Sequence, residues 1–120
     1  MLACEKIRAI CQQDPEYRKS LGSRPGSQRA RDFFDIHFLS TQYNIDWANS
    51  VTSELLQAMF KAKHVPSILL GKISEFRDFH KQGFPSVKDT VLPGHKILEF
   101  DVYFDYVLKC TSMLKPFWNV

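Results

Sequence analysis

The feature that most constrains the fold of this sequence is a cluster of large apolar residues between positions 28 and 40. Five of them fall within seven consecutive positions: Phe33, Phe34, Ile36, Phe38 and Leu39. At about 100° per residue, their side chains point in almost every direction around a helix axis, and only Asp35 and His37 are polar. A helix that is apolar all round belongs in the interior of a core, so we expect the helix over 28–40 to be central.

The rest of the chain also has helical spacing. Apolar residues recur every three to four positions over four further segments, and Asp14-Pro15 is a typical helix start. We therefore predict an all-α, compact single domain over residues 1–120, a bundle of about five helices with the Phe-rich helix at its centre. The predicted helices cover 2–12, 28–40, 45–63, 67–82 and 95–114, with short turns of helix at 15–21 and 86–92.

One segment, 97–106, fits two structures. Apolar and polar residues alternate there, as in a strand. Over a longer span, however, apolar residues recur at spacings of three and four, as in a helix: Ile97, Phe100, Phe104, Val107 and Leu114. Because no other segment alternates, a strand would have no partner, and the context favours a helix.

Composition excludes several broad classes. Hydrophobic residues make up 44% and charged residues 24% of 120 residues, which is the balance of a folded globular protein. The net charge of +3 is too small to indicate nucleic-acid binding by itself. Three cysteines cannot form a complete disulfide framework, and no signal peptide or apolar run of about 20 residues is present. We expect an intracellular protein, cytoplasmic or nuclear, with no membrane span.

No catalytic or metal-binding motif is recognisable. The four histidines are scattered, and His80 on an apolar helix face is typical of a core histidine with one hydrogen bond. Asp101 and Asp105 indicate a solvated stripe, since a bridged metal site needs a second matching pair of ligands. Neither a Gly-x-Ser-x-Gly turn nor a glycine-rich phosphate loop occurs. The sequence therefore predicts no metal, no cofactor and no enzyme activity.

The leading functional hypothesis rests on the last helix, which is apolar on two opposite faces. An apolar face left uncovered on a folded domain indicates an interaction surface. We predict a non-enzymatic protein-interaction domain that binds another protein or a second copy of itself. Seven residues are predicted to form the partner-binding surface: Val102, Tyr103, Tyr106, Cys110, Met113, Phe117 and Trp118.

The alternative hypothesis rests on the basic segment 18–31, which contains five cations and no acid. Arginines leading into a helix N-terminus can hold a phosphate through guanidinium and backbone N–H groups. The alternative is a nucleic-acid or phosphate-binding helical module, although a flexible, solvated connection explains the same composition. Its predicted residues are Arg24, Arg29, Arg31, Lys61 and Lys63.

Overall fold

The Phe-rich helix forms the centre of the computed structural model, which describes residues 1–91, 94 and 96–119. This helix, α3 (Ala30–Gln42), packs against both α1 (Leu2–Cys11) and α7 (Phe100–Met113). Phe33 has no exposed surface and stacks on Phe104 of α7, with 5.0 Å between the ring centroids. The prediction of a central Phe-rich helix is confirmed.

All regular secondary structure among the described residues is helical, which confirms the prediction of an all-α compact single domain. They form more helices than the five predicted, and the domain limits of 1–120 stay a prediction. None of the helices in the described part of the chain is long and apolar enough to cross a membrane. The other elements are α2 (Pro15–Ser20), α4 (Ser50–Ala62), a 3₁₀ segment (Ser67–Phe76), α5 (Arg77–Lys81), α6 (Phe84–Thr90) and α8 (Lys115–Trp118).

The helix predicted over 45–63 begins later, at Ser50. Asn49 is its N-cap, since the Asn49 side chain accepts a hydrogen bond from the backbone N–H of Val51 at 2.7 Å. The preceding residues turn instead of winding: the Asp46 carboxylate accepts from the N–H of Ala48 at 3.0 Å. The apolar residues of 45–49 therefore lie in a turn and not in a helix.

The ambiguous segment is helical from Phe100 onward, and the predicted helix over 95–114 therefore starts too early. Its predicted first residue, at position 95, lies outside the described residues. Leu98 is held outside the helix because its N–H donates to the hydroxyl of Tyr103 at 2.8 Å. A single helix over 67–82 is also wrong, because this region divides into the 3₁₀ segment and α5.

Burial of α3 is incomplete toward its C-terminal half. Phe34 is 9% exposed, whereas Phe38, one turn further along, is 40% exposed and stacks on Phe34 with 6.4 Å between ring centroids. This accessible edge of α3 faces the first turns of α1 and the end of α6, and it forms one wall of a cleft.

Candidate functional site

Five charged side chains meet where the first turns of α3 face α1. The N-terminal half of α3 supplies three of them, the N-cap residue of α3 supplies a fourth, and α1 supplies the fifth, a lysine. Two carboxylates three residues apart lie on the same side of a helix, and here both face α1. We call this set the charge ladder: Lys6, Arg29, Arg31, Asp32 and Asp35.

Positive and negative groups alternate along the ladder. The ammonium of Lys6 lies 3.3 Å from Asp32 Oδ1 and 3.0 Å from Asp35 Oδ2, so it bridges the two carboxylates. Arg31 Nε lies 3.1 Å from Asp35 Oδ1, and Arg29 Nη1 lies 3.7 Å from Asp32 Oδ2. Three cations therefore share two carboxylates, which leaves the cluster with one excess positive charge.

The centre of the ladder is sheltered from solvent, whereas its two arginines, Arg29 and Arg31, are 40% and 51% exposed. Side-chain exposure is 22% for Lys6, 12% for Asp32 and 19% for Asp35. Burial lowers the pKa of Lys6, but the two carboxylates together outweigh this effect and the net pKa is raised. Lys6 is therefore charged at neutral pH, and the ion pairs persist.

Two buried polar atoms of the ladder have no hydrogen-bond partner among the described residues: Asp32 Oδ2 and Arg29 Nε. An unpaired buried polar atom typically costs about 1–3 kcal/mol, so such atoms are uncommon in folded domains. The ladder therefore contains one hydrogen-bond acceptor and one donor that an internal water molecule could satisfy.

A cleft of about 370 Å³ opens beside the ladder. Its charged and polar edge is formed by Lys6, Arg31, Asp35 and Thr90, and the Thr90 hydroxyl accepts from Arg31 Nη1 at 2.8 Å. Its other walls are apolar and come from α1, α3 and the residue after α6: Leu2, Phe34, Phe38, Leu39 and Val91. Ligand sites commonly combine this volume and apolar lining with a few convergent polar groups.

The basic residues predicted from the sequence are only partly brought together. Arg29 and Arg31 belong to the ladder, but Arg24 lies exposed in the preceding loop, where its carbonyl oxygen accepts from Arg18 Nε at 2.6 Å. The other two, Lys61 and Lys63, are exposed at the end of α4, an element that packs on α1. The ladder's contacts therefore include two of the five predicted residues.

Most of the predicted partner-binding surface lies inside the domain. Tyr103 and Cys110 are buried, because α7 lies between α3 and the 3₁₀ segment. The ring of Phe117 packs edge-on against Phe60 at 5.9 Å. Trp118 Nε1 donates to the carbonyl of Thr111 at 2.8 Å. These four predicted residues are thus part of the chain's own packing.

The remaining three residues of that prediction are accessible to different extents. Val102 and Met113 are exposed, whereas Tyr106 is half-buried against His37, with 4.8 Å between ring centroids. Three of the seven predicted residues therefore have accessible surface, and their role in partner binding stays a prediction.

Sequence reasoning missed Lys6, Asp32 and Asp35. The signal that could have found the aspartates was their position on an otherwise apolar helix, where a charged residue needs a buried partner. Lys6 carried no such signal, since a lysine on an amphipathic helix is ordinarily solvated. Its role depends on the way in which α1 crosses α3.

No three His, Cys, Asp or Glu side chains converge as metal ligands within residues 1–91, 94 and 96–119. Asp32 and Asp35 are the nearest approach to a carboxylate pair beside the cleft, and cations already engage both of them. The ladder therefore carries no carboxylate without a cation beside it.

Comparison with known protein families gives one match: residues 1–104 match the family described as the nucleotidyl transferase AbiEii toxin of a type IV toxin–antitoxin system. Comparisons with curated proteins and with solved structures gave no match. The predictions of a non-enzymatic interaction domain and of no enzyme activity are therefore wrong. The first relied on the apolar faces of the last helix, and the second on the absence of short catalytic motifs.

The toxin–antitoxin description also bears on partners. A system of this kind has a second component, which agrees with the expectation of a protein partner, while pairing with a second copy of the chain stays a prediction. The match spans 104 of the 120 residues, well over half of the chain. The chain therefore belongs to the nucleotidyl transferase AbiEii toxin family.

Proposed function

We propose that this chain provides the nucleotide-binding face of a nucleotidyltransferase and binds a nucleoside triphosphate in the cleft beside the charge ladder. The observation that carries the proposal is the junction of an apolar cleft with Lys6 and Arg31. A nucleotide has the matching chemistry, since its base is flat and aromatic and its triphosphate is a polyanion. Family membership supplies the reaction class.

The apolar part of the cleft suits the base. Phe34 and Phe38 present aromatic surface along one wall, and a base stacked on an aromatic ring is stabilised by about 1–3 kcal/mol. Arg31 lies near the same wall, with its guanidinium carbon 5.6 Å from the centroid of the Phe34 ring. A base on this wall would place its sugar and phosphates toward the ladder.

The ladder suits the phosphates. Arg31 is half-exposed and is held between Asp35 and Thr90, so its guanidinium is oriented before a ligand arrives. An oriented guanidinium can form two parallel hydrogen bonds with phosphate oxygens. The excess positive charge of the ladder remains available to the triphosphate, while Asp32 and Asp35 keep the cations in place.

Nucleotidyl transfer from a triphosphate ordinarily uses Mg²⁺ bound by carboxylates and by the substrate phosphates. The residues described here do not fit that ion, because the two aspartates of the ladder are already paired with Lys6, Arg29 and Arg31. We therefore derive no step through a metal. The role assigned to this chain is to bind and orient the nucleotide.

The test is a binding measurement with each of the four ribonucleoside triphosphates, made by isothermal titration calorimetry on the purified chain. We expect Arg31→Gln to raise the Kd at least tenfold for the triphosphate that binds best, because it removes the oriented cation. The matched control is Arg77→Gln, which removes another ion-paired arginine on a different part of the surface. The control is expected to change the Kd less than twofold.

Two results would contradict the proposal. One is the absence of binding by all four triphosphates at millimolar concentration. The other is an equal loss of affinity in Arg31→Gln and Arg77→Gln, which would indicate a general effect of surface charge.

A further inference from the structure

A buried histidine lies behind the start of the helix that carries the charge ladder. His80, on α5, has 2% of its surface exposed, and its Nδ1 accepts a hydrogen bond from the backbone N–H of Arg29 at 2.9 Å. Arg29 is the N-cap residue of α3, where backbone N–H groups have no partner within the helix. His80 therefore satisfies one of these groups from outside the helix.

This hydrogen bond determines where the proton of the ring lies. A neutral imidazole has one acceptor nitrogen and one N–H, so an accepting Nδ1 places the hydrogen on Nε2. Burial, reinforced by the positive charge of Arg29, lowers the pKa of His80 to about 4, and the ring is neutral at physiological pH. Among the described residues, the ring makes no second hydrogen bond.

A buried carboxylate oxygen of Asp14 borders the same cavity as His80. Asp14 is the N-cap of α2, and its Oδ1 accepts from the N–H of Tyr17 at 3.1 Å. Its Oδ2 is buried and has no hydrogen-bond partner among the described residues. Asp14 and His80 both line one small cavity of about 10 Å³, and the rest of its lining is apolar apart from one thiol: Ile10, Cys11, Leu69, Ile73 and Phe76.

A cavity of this size holds about one water molecule, and a buried water needs polar partners. We propose that a single internal water bridges Asp14 Oδ2 and His80 Nε2, and that His80 is thereby a positioning residue for the charge ladder. The water accepts from the ring N–H and donates to the carboxylate. The ring then keeps Nδ1 as the acceptor for the N–H of Arg29.

The consequence for the site follows from chain order, and it rests on the proposed function. Arg31 is two residues beyond Arg29, in the first turn of α3. If the N–H of Arg29 loses its acceptor, the first turn is free to fray, and Arg31 loses its orientation toward the cleft. A displacement of about 1 Å in a positioned group can reduce an enzyme's performance about a hundredfold.

The first experiment needs no nucleotide, so it remains informative if the proposed function fails. NMR of the chain with ¹⁵N-labelled histidine is expected to show His80 as the tautomer with its proton on Nε2, and a nuclear Overhauser contact between the ring and a bound water. A proton on Nδ1, or a ring with no water contact, would overturn the proposal.

The second experiment uses three variants. His80→Leu removes the acceptor, His80→Gln can restore it through its amide oxygen, and Leu69→Ala enlarges the same cavity without removing a polar group. The readout is hydrogen exchange of the Arg29 amide relative to the amide of Val107 in α7, which corrects for a change in global stability.

We expect the relative exchange of the Arg29 amide to rise at least tenfold in His80→Leu, and to return within threefold of the native value in His80→Gln. Leu69→Ala is expected to leave this ratio unchanged. The Kd of the best-binding triphosphate should follow the same order. An unchanged ratio in His80→Leu, or an equal rise in Leu69→Ala, would show that His80 is a packing residue alone.

Discussion

Two ion-pair networks of this domain use similar groups in opposite surroundings. The charge ladder lies between α1 and α3, mostly out of solvent. The second, which we call the surface network, joins α5 to α7 on the outside of the domain and consists of Arg77, Lys81, Asp101 and Asp105. The polar atoms of the surface network are accessible to water, whereas the ladder contains buried atoms with no hydrogen-bond partner.

The difference shows how burial changes the role of an ion pair. Arg77 contacts Asp101 at 3.0 Å and Asp105 at 2.6 Å, which are shorter distances than most in the ladder. Water nevertheless solvates these groups whether or not they are paired, so their contribution to stability is small. In the ladder, each group depends on its partner, and removing one leaves a sheltered charge uncompensated. Short distances alone would have ranked the two networks in the wrong order.

The largest expected effect comes from breaking the ladder at its centre. Lys6→Met keeps the apolar stem of the side chain and removes the charge that bridges Asp32 and Asp35. We expect the free energy of unfolding to fall by about 2–4 kcal/mol, somewhat less than for a fully buried pair because the ladder is partly exposed. Urea denaturation of the variant and the native chain measures this difference. A loss below about 1 kcal/mol would mean that the ladder behaves like a surface network.

Acid pH is expected to lower the stability of the region around His80, which hydrogen-bonds to Arg29 at the start of α3. The folded-state pKa of His80, about 4, is below its ordinary value of about 6.5. Between these values the unfolded chain binds a proton that the folded chain does not, so the free energy of unfolding falls as the pH falls from about 6.5 to 4. This loss amounts to about 1–3 kcal/mol at pH 4.

Asp101 of the surface network should keep its charge further into this range than a free aspartate, because hydrogen bonds from Lys81 and Arg77 lower its pKa. Urea titrations of the native chain and of His80→Gln at pH 7 and pH 4.5 isolate the histidine contribution. The native chain should lose more stability than the variant. Equal losses would assign the acid sensitivity to other groups.

The smallest expected effect comes from Arg77→Met, which breaks the surface network at its centre. Two ion pairs and the contact between the Arg77 guanidinium and the ring of Phe104, 4.4 Å from its centroid, are lost. We expect the free energy of unfolding to fall by about 1 kcal/mol or less at low salt. In 1 M NaCl the difference between variant and native chain should shrink, because salt screens exposed pairs. A loss as large as that of Lys6→Met would remove the contrast between the networks.

Much of the fold was predictable from apolar periodicity, because burying an apolar stripe is what places each helix. The cluster around Phe33 predicted the central helix. The helical spacing of Phe100 and Phe104 favoured a helix over a strand in the segment 97–106. Helix starts were harder to predict, since they depend on single hydrogen bonds. Asn49 caps α4 through its side chain, and the hydroxyl of Tyr103 holds Leu98 outside α7.

The candidate site was less predictable, for a physical reason. Arg29 and Arg31 were predicted as phosphate-binding residues in the alternative hypothesis, because they lie in a basic segment that leads into a helix N-terminus, and this stays a prediction. Lys6, which completes the ladder, is 26 positions before Asp32 and has no local peculiarity. Lys6 reaches the ladder because α1 packs against α3. Helical periodicity predicts that both helices are buried, but it does not predict how they cross.

The contact between Gly71 and Trp118 shows how far the packed domain extends relative to the family match. A Cβ atom at position 71 would lie 2.6 Å from the indole, so the 3₁₀ segment and α8 fit together only with glycine there. The family match ends at residue 104, inside α7. Trp118 lies 14 positions later and packs against Gly71 in the 3₁₀ segment. The family match therefore covers the first 104 residues, while the packed domain continues as far as the Trp118 indole.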